Sequence, residues 1–384
     1  MRYNILFLTK WYPNRFDPQL GVFIRKHAQA VSDYCNVVVL YTCADSSIKI
    51  NYETTISTQH GFTEIVVYYK KNKFLFKIFL NIYRYFKANL IGLRIAQNSL
   101  GVIDLLHVNV LNRPGLIALI IRKLKGIPYI VTEHWTGYIS GNYRKSNFLK
   151  KWLTKKIIYN ASAVTTVSNN LKQTMLSLGL TNNYTIIPNV IESIALQTTE
   201  TLNSNSKTKI LTIADLLDVH KNISGIIKAI ATVSKTNPNI EYHIVGDGPD
   251  KLMLKVLSDT LKLTDKFIFF HGRQSNEYVY DLFKQIDFVV INSNYETFSV
   301  VAAESLANGK PLITTICGGP EEFVTSDHGI LIEKNNQEQL EEAILKMLLI
   351  YKNYDAQQLN SYITQKFNYQ TIGKLFYEIY KPII

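Results

Sequence analysis

The sequence predicts an α/β protein made of two Rossmann-like domains facing a central cleft. Three observations carry that expectation. The chain has 384 residues, which exceeds twice the length of about 150 residues typical of one domain. Short apolar, β-branched runs alternate with helical stretches through both halves, the pattern of parallel sheets covered on both faces. A polar tract in the middle separates the two series.

Each element follows from local pattern. Asn4–Thr9 is a short apolar run that ends in a Pro-containing loop, so it reads as a buried first strand. In 21–32, Val22, Phe23, Ala28 and Val31 recur at helical spacing. Asn36–Thr42 is rich in β-branched residues and reads as the second strand. Further strands are expected at Glu64–Tyr69, Leu105–Val108, Tyr129–Thr132, Ala163–Val167 and Thr185–Ile187. The alternation stops near Ile186–Val190, and the tract 197–209, rich in Thr, Ser and Asn, reads as a linker. It resumes with strands at Lys209–Ile213, Tyr242–Val245, Phe267–Phe270, Phe288–Ile291 and Leu312–Thr314. In the tail, Ile372, Leu375, Phe376 and Ile379 share one face of a helix over Tyr369–Tyr380. The expected division is 1–188, 189–366 and a closing helix in 367–384 that packs back toward the first domain.

Composition narrows the function classes. With 47% hydrophobic and 19% charged residues, the chain is globular rather than disordered or low in complexity. Three cysteines without CxxC spacing argue against a disulfide framework or a cysteine–zinc site and point to a reducing cytoplasm. The initial apolar run is too short for a signal-peptide core, and no charge-free stretch of 18 residues predicts a membrane span. Charge is uneven: residues 1–200 hold 24 Lys/Arg and 9 Asp/Glu, residues 201–384 hold 18 and 21. A basic first half suits an anionic partner, and nucleic acid, a membrane surface and a phosphorylated acceptor all qualify. No nucleic-acid recognition module accompanies it, so nucleic acid is not expected.

In doubly wound sheets ligands bind outside the carboxyl ends of the strands, so candidate residues are sought in the loops that follow strands. Gly21 opens the first helix, where a glycine lets backbone N–H groups approach an anion. Glu133 and His134 follow a strand and are expected to face the cleft, His134 handling a proton or bonding a sugar hydroxyl. Gly246 and Gly248, in Val-Gly-Asp-Gly-Pro, permit a tight turn near a ligand's base. Glu296 and Glu304 bracket Thr-Phe-Ser-Val-Val-Ala-Ala; a helix starting near Thr297 or Phe298 leaves Glu296 at its mouth and Glu304 about two turns in. The first-turn N–H groups of Phe298 and Ser299 then suit a phosphate. Gly318 and Gly319 form a loop that lets backbone reach a ligand. Each feature also has an ordinary structural reading: a turn glycine, a core histidine, an amphipathic helix with surface glutamates.

In order along the chain, Gly-Val-Phe, Glu-His after a strand, Ile-Ile-Pro-Asn-Val, Val-Gly-Asp-Gly-Pro, Glu296-x7-Glu304 and Cys-Gly-Gly-Pro-Glu-Glu resemble glycosyltransferase family 4. The resemblance covers nearly the whole chain. It implies the GT-B fold and a retaining transfer of a sugar from a nucleotide-diphosphate donor to a hydroxyl of a glycan or lipid-linked acceptor, in surface-polysaccharide synthesis. By position it implies that Glu304 accepts the ribose hydroxyls, Glu296 lies beside the donor sugar, and Phe298 and Ser299 cradle the diphosphate. Gly21 closes over the phosphates, His134 lies near the transferred sugar, and Lys221 neutralises the leaving group, with no metal or other cofactor.

The sequence departs from the family at one cation. An arginine usually stands six residues before that lysine, and here the position is Asp215. Arg273 and His220 are the candidate substitutes. A non-catalytic sugar-nucleotide-binding subunit and an epimerase or hydrolase on the same fold are the alternative functions. The basic, aromatic stretches around Lys77, Asn81, Arg84 and Lys87, and from Arg144 to Lys156, read either as outer helices or as seats on an anionic bilayer. The expected location is therefore cytoplasmic, peripheral on the inner face of the cell membrane. Nucleotide base, sugar and acceptor are not readable.

Overall fold

The computed structural model describes residues 2–72, 77–192, 196 and 207–384. Its first compact unit takes residues 1–190 and 368–384, its second 191–367. The linker expected at 197–209 lies almost wholly outside the described residues.

The first unit holds β1 (Asn4–Thr9), α1 (Val22–Ser32), β2 (Asn36–Asp45), β3 (Tyr52–Gln59), β4 (Phe62–Lys70), α2 (Ile78–Leu100), β5 (Leu105–Asn109), α3 (Asn112–Lys125), β6 (Tyr129–Glu133), α4 (Phe148–Asn160), β7 (Ala163–Thr166), α5 (Asn169–Ser177) and β8 (Tyr184–Ile186). Its sheet runs β3-β4-β2-β1-β5-β6-β7-β8. All neighbours pair in parallel except β3, which pairs antiparallel with β4 at the edge. β3 was not foreseen: its sequence YETTISTQ is polar and its residues are half-buried or exposed, so no apolar run announces it. The central strands are buried throughout because helices cover both faces.

The second unit holds β9 (Thr208–Ile213), α6 (Asp218–Lys221), α7 (Ile223–Val233), β10 (Ile240–Val245), α8 (Lys251–Thr260), β11 (Ile268–Gly272), α9 (Asn276–Gln285), β12 (Phe288–Ile291), α10 (Val300–Ala307), β13 (Leu312–Ile316), β14 (Gly329–Glu333), α11 (Gln337–Ile350) and α12 (Ala356–Phe367). The six strands pair in parallel in the order β11-β10-β9-β12-β13-β14. Numbered within the unit, that is 3-2-1-4-5-6, the doubly wound order, and it reverses between β9 and β12. In the first unit the corresponding reversal lies between β1 and β5. β14 is the second unforeseen strand.

The chain then returns to the first unit as α13 (Tyr369–Tyr380). Ile372, Phe376 and Tyr380 of this helix are fully buried in the first unit's core. Contact with α1 is close: a Cβ on Gly373 would lie 2.1 Å from the Ala30 carbonyl oxygen. The units divide at Val190/Ile191 rather than after residue 188. The physical reason is that Val190 packs in the first core, while the Pro188 carbonyl accepts a bond from His27 Nε2 at 3.1 Å.

Candidate functional site

In the second unit the loops after β9 and β12 meet where the strand order reverses. Asn294 N–H donates to the His220 carbonyl at 2.7 Å, and Asn292 Nδ2 donates to the Asn222 carbonyl at 3.2 Å. These bonds bring Lys221 Nζ to 2.6 Å from Glu296 Oε1, which also accepts from Ser293 Oγ at 2.8 Å. Burial disfavours the Lys221 charge, but Glu296, with Asp215 and Cys317 behind it, outweighs burial and raises the lysine's pKa. Lys221 is therefore held as a cation.

Next to this pair α10 begins, at Val300 rather than near Thr297 or Phe298. The later start leaves Glu296 in an irregular loop and puts Glu304 in the second turn, so helical spacing does not relate the two acids. Ser299 caps α10 in the left-handed region, at φ 70°, a conformation that costs a residue with a Cβ about 1–2 kcal/mol. The first N–H groups of the helix point out of it without intrahelical acceptors. The side chain of Phe298 is not part of this surface: it is buried against Phe323 and Phe367, at 5.1 and 5.2 Å between ring centroids. Glu304 is half-buried and acts on Tyr280 of α9, whose hydroxyl donates to Glu192 at 3.1 Å.

Several expected ligand contacts turn out to be engaged within the chain. Gly246 stands at φ 143°, and a Cβ there would lie 1.8 Å from the Ala214 carbonyl oxygen. Its N–H donates to the Gly272 carbonyl at 2.8 Å, so this glycine is needed to pack the β10 loop on the β9 loop. The N–H groups of Cys317 and Gly318 donate to the Glu321 carboxylate at 3.3 and 2.7 Å; the Cys-Gly-Gly loop is closed on itself there. Arg273 follows β11, two strands away from β9, where it helps hold the pKa of Asp247 down together with the Gly248 N–H and Lys251. Two strand spacings are about 10 Å, so Arg273 stands on a different loop from Asp215 and Lys221. Burial and Lys221 lower the pKa of His220, which leaves it neutral near pH 7. Lys221 thus faces two acids, Glu296 and Asp215. Sequence reasoning missed Lys251 and also Lys334, whose ammonium lies 5.7 Å from the Tyr295 ring.

In the first unit Gly21 caps α1 at φ 69°. A Cβ would come within 2.7 Å of the Trp11 carbonyl group, so the loop after β1 folds directly onto this glycine. His134 follows β6 and is buried. Its ring packs on Phe23 at 4.5 Å and on His27 at 5.5 Å. Among the described residues its Nε2 has no hydrogen-bond partner. Burial first, then His27 and His107, push its pKa well down, so it is a neutral imidazole that can donate to or accept from a hydroxyl.

Glu133 does not face outward as expected. It is buried and accepts from the N–H groups of Leu111 at 2.8 Å, His134 at 3.2 Å and Trp135 at 3.4 Å. Desolvation raises its pKa. Its role is to fasten the loops after β5 and β6. Near it lies a cation that sequence reasoning missed, Lys10, which directly follows β1. Burial lowers its pKa; Glu133 opposes that, and Lys150 and Arg113 add to it.

The basic stripe on α2 differs from expectation as well. Asn81 exchanges bonds with the backbone of Asn72. Arg84 donates to the Lys70 carbonyl at 2.9 Å and to Asn51 Oδ1 at 2.8 Å. Asn81 and Arg84 are thus turned onto the chain's own loops, while Lys87 stays exposed. Beside the exposed Lys87 and Arg94, α2 exposes a set of apolar side chains: Phe79, Ile82, Tyr83, Phe86 and Leu90. Lys73 lies outside the described residues. Among the described residues no helix is long and apolar enough to cross a membrane, and no three His, Cys, Asp or Glu side chains gather as a metal site.

Comparison with known proteins agrees with this architecture. The family described as Glycosyltransferase Family 4 matches residues 24–193, and that described as Glycosyl transferases group 1 matches 197–364. An uncharacterized glycosyltransferase of Methanocaldococcus jannaschii is 28% identical over 64% of this chain and 66% of its own length. The alpha-monoglucosyldiacylglycerol synthase of Streptococcus pneumoniae is 25% identical over 55% of this chain and 51% of its own. The match thus spans from about half to just under two thirds of these relatives. Among solved structures, sucrose-phosphate synthase from Thermosynechococcus elongatus superimposes with a TM-score of 0.79 at 17% identity, covering 99% of both chains. HepE of Anabaena, in complex with UDP and glucose, gives 0.74 at 16% identity, covering 99% of this chain and all of that one. With two doubly wound units, their loop sites and matches that together span most of its length, the chain belongs to glycosyltransferase family 4 and has the GT-B fold.

Proposed function

We propose that this chain is a retaining glycosyltransferase that moves a sugar from a nucleotide-diphosphate donor to a hydroxyl of a glycan or lipid-linked glycan. The observation that carries the reading is the Lys221–Glu296 pair at the strand-order reversal of the second unit, beside the N-terminus of α10. As the bond from sugar to diphosphate breaks, negative charge grows on the leaving oxygens. A fixed ammonium and oriented N–H groups stabilise that charge, and such preorganised electrostatics is usually the largest single contribution to catalysis. Glu304 receives the ribose hydroxyls, Glu296 lies beside the donor sugar, and Gly21 lets the β1 loop approach the phosphates. His134, neutral and with a buried, unpartnered Nε2, bonds a sugar hydroxyl near the reacting carbon. Glu296 Oε1 is engaged by Lys221 and Ser293, so departure and attack on the same face of the sugar fit better than a covalent intermediate through this carboxylate. The scheme calls on no metal ion.

The relatives support the substrate classes. HepE is a structure with UDP and glucose, and the Streptococcus pneumoniae relative is named as a glycolipid synthase. The exposed apolar face of α2 suits a peripheral position on the inner face of the cell membrane, and surface-polysaccharide synthesis is the corresponding pathway class.

A thermal-shift screen against nucleoside diphosphates and their sugars tests the donor, since a ligand that binds only the folded state raises its stability. A rise in midpoint with one nucleoside diphosphate, and release of that diphosphate only when acceptor is added, is the expected result. Asp215 beside Lys221 favours one second reading, a subunit that binds the donor without turning it over. Donor binding with no release against a broad acceptor panel would establish it.

A further inference from the structure

We propose that a groove at the start of α4 seats the phosphate and adjoining alkyl segment of an amphiphilic acceptor; this deepens the reading above and rests on it. The groove encloses about 320 Å³ and is lined by Tyr143, Arg144, Phe148, Lys151, Trp152, Lys155 and Leu178. Three of its residues are cations, three are aromatic, and none is acidic. Lys151 Nζ donates to the Arg144 carbonyl at 2.6 Å, so its ammonium is fixed beside another lining residue. Phe148 and Trp152 stand 82% and 47% exposed, an arrangement that leaves apolar area unburied in the isolated chain. Lys156, which is not part of the lining, lies 5.0 Å from the Trp152 ring and adds a fourth cation nearby. Apolar walls under a cationic rim complement a molecule with a phosphate at the end of an alkyl chain: ammonium and guanidinium donors form charge-assisted bonds to phosphate oxygens, and the chain covers the rings.

The groove's place in the first unit assigns it to the acceptor rather than to bulk lipid. It is joined to the His134 loop by a run of rings. Trp135, next to His134, stacks edgewise on Tyr138 at 5.1 Å, and Tyr138 meets Tyr143, a wall of the groove, at 5.2 Å. Lys150, at the same turn of α4, sits 4.8 Å from the Trp135 ring. An amphiphile seated in the groove therefore lies next to the loop that carries His134. On α2, by contrast, Arg84 is turned onto the Lys70 carbonyl.

The test uses the full chain with dodecyl phosphate below its micelle concentration, inorganic phosphate, and dodecyl maltoside, followed by calorimetry and tryptophan fluorescence. Wild type is expected to bind one dodecyl phosphate per chain. Binding should weaken at least tenfold in Lys151→Ala/Lys155→Ala and in Trp152→Ala, all changes at side chains near the surface. Dodecyl maltoside should bind at least tenfold more weakly than dodecyl phosphate. Lack of saturation by dodecyl phosphate, equal affinity in the variants, or equal affinity for dodecyl maltoside would each overturn the proposal. So would loss of sedimentation with anionic vesicles in the double variant without any dodecyl phosphate site, which would make the groove a bilayer contact. The nucleoside-diphosphate thermal shift in the same samples separates the two readings: if it persists while dodecyl phosphate fails to bind, only the groove is refuted.

Discussion

Lys221 and Glu296, 75 residues apart in sequence, meet at 2.6 Å where the second sheet reverses its strand order. The pair keeps the lysine charged before any donor arrives. Lys221→Ala should lower turnover by about 10²–10³-fold, the size found when one transition-state donor is removed, with a smaller change in donor KM. Steady-state kinetics at varied donor concentration checks this, and a wild-type turnover number would remove Lys221 from the leaving-group role.

Asp215 adds a second negative charge to Lys221, at the position where the family resemblance places an arginine. Asp215→Arg should tighten nucleoside-diphosphate binding by about tenfold, since reversing the charge exchanges a repulsion for an attraction to the phosphates. Titration calorimetry reads the change. Unchanged or weaker affinity would place the diphosphate elsewhere.

Glu304 is half-buried on α10 beside Tyr280. If its carboxylate accepts two ribose hydroxyls, Glu304→Ala should weaken nucleoside-diphosphate binding by tenfold or more, because charged hydrogen bonds contribute about 1.5–3 kcal/mol each. Comparable affinity of the variant in the thermal-shift assay would end that assignment.

Ser299 holds φ 70° at the cap of α10. Glycine relieves the left-handed strain, worth about 1–2 kcal/mol, but gains freedom in the unfolded chain, worth about 0.4–1 kcal/mol. Ser299→Gly should therefore stabilise the second unit by about 0.5–1 kcal/mol in urea denaturation. A destabilised variant would mean that the serine hydroxyl makes a contact worth more than the strain.

His27 is buried against Pro188, and burial lowers its pKa to about 4. Free histidine titrates near 6.5, so between these values the unfolded chain binds a proton that the folded one does not. Stability is then undiminished above about pH 6.5 and falls as pH drops toward 4, by on the order of 3 kcal/mol for this one group. His27→Gln should flatten that dependence. Melting curves from pH 7.5 to 4.5 with the same slope in both proteins would show that other groups govern it.

The order of strands and helices was legible because apolar runs and helical spacing are local signals: β1, β12 and α13 fall on their expected residues. β3 was not, because an edge strand with little buried surface needs no apolar pattern. The candidate residues also divide this way. That Lys221 and Glu296 belong together came from the order of motifs and their resemblance to a family, and the strand order then placed both at one point. What a motif glycine or carboxylate actually touches could not be read from its type. Gly246 packs on the Ala214 carbonyl and Glu133 is buried on three backbone N–H groups, since a backbone approach and a buried carboxylate depend on what lies across from them.

The amino-acid order alone determined an α/β chain in two parts, a basic first half and a set of loop residues suited to an activated sugar. Only the tertiary structure decided that Arg273 follows a strand two places from the one before Lys221, that Arg84 of α2 turns onto a loop carbonyl, and that cations and aromatic rings gather in a groove beyond His134. The reason is distance: composition and periodicity report a residue's neighbours along the chain, whereas electrostatics and hydrogen bonding depend on neighbours in space, which folding alone supplies.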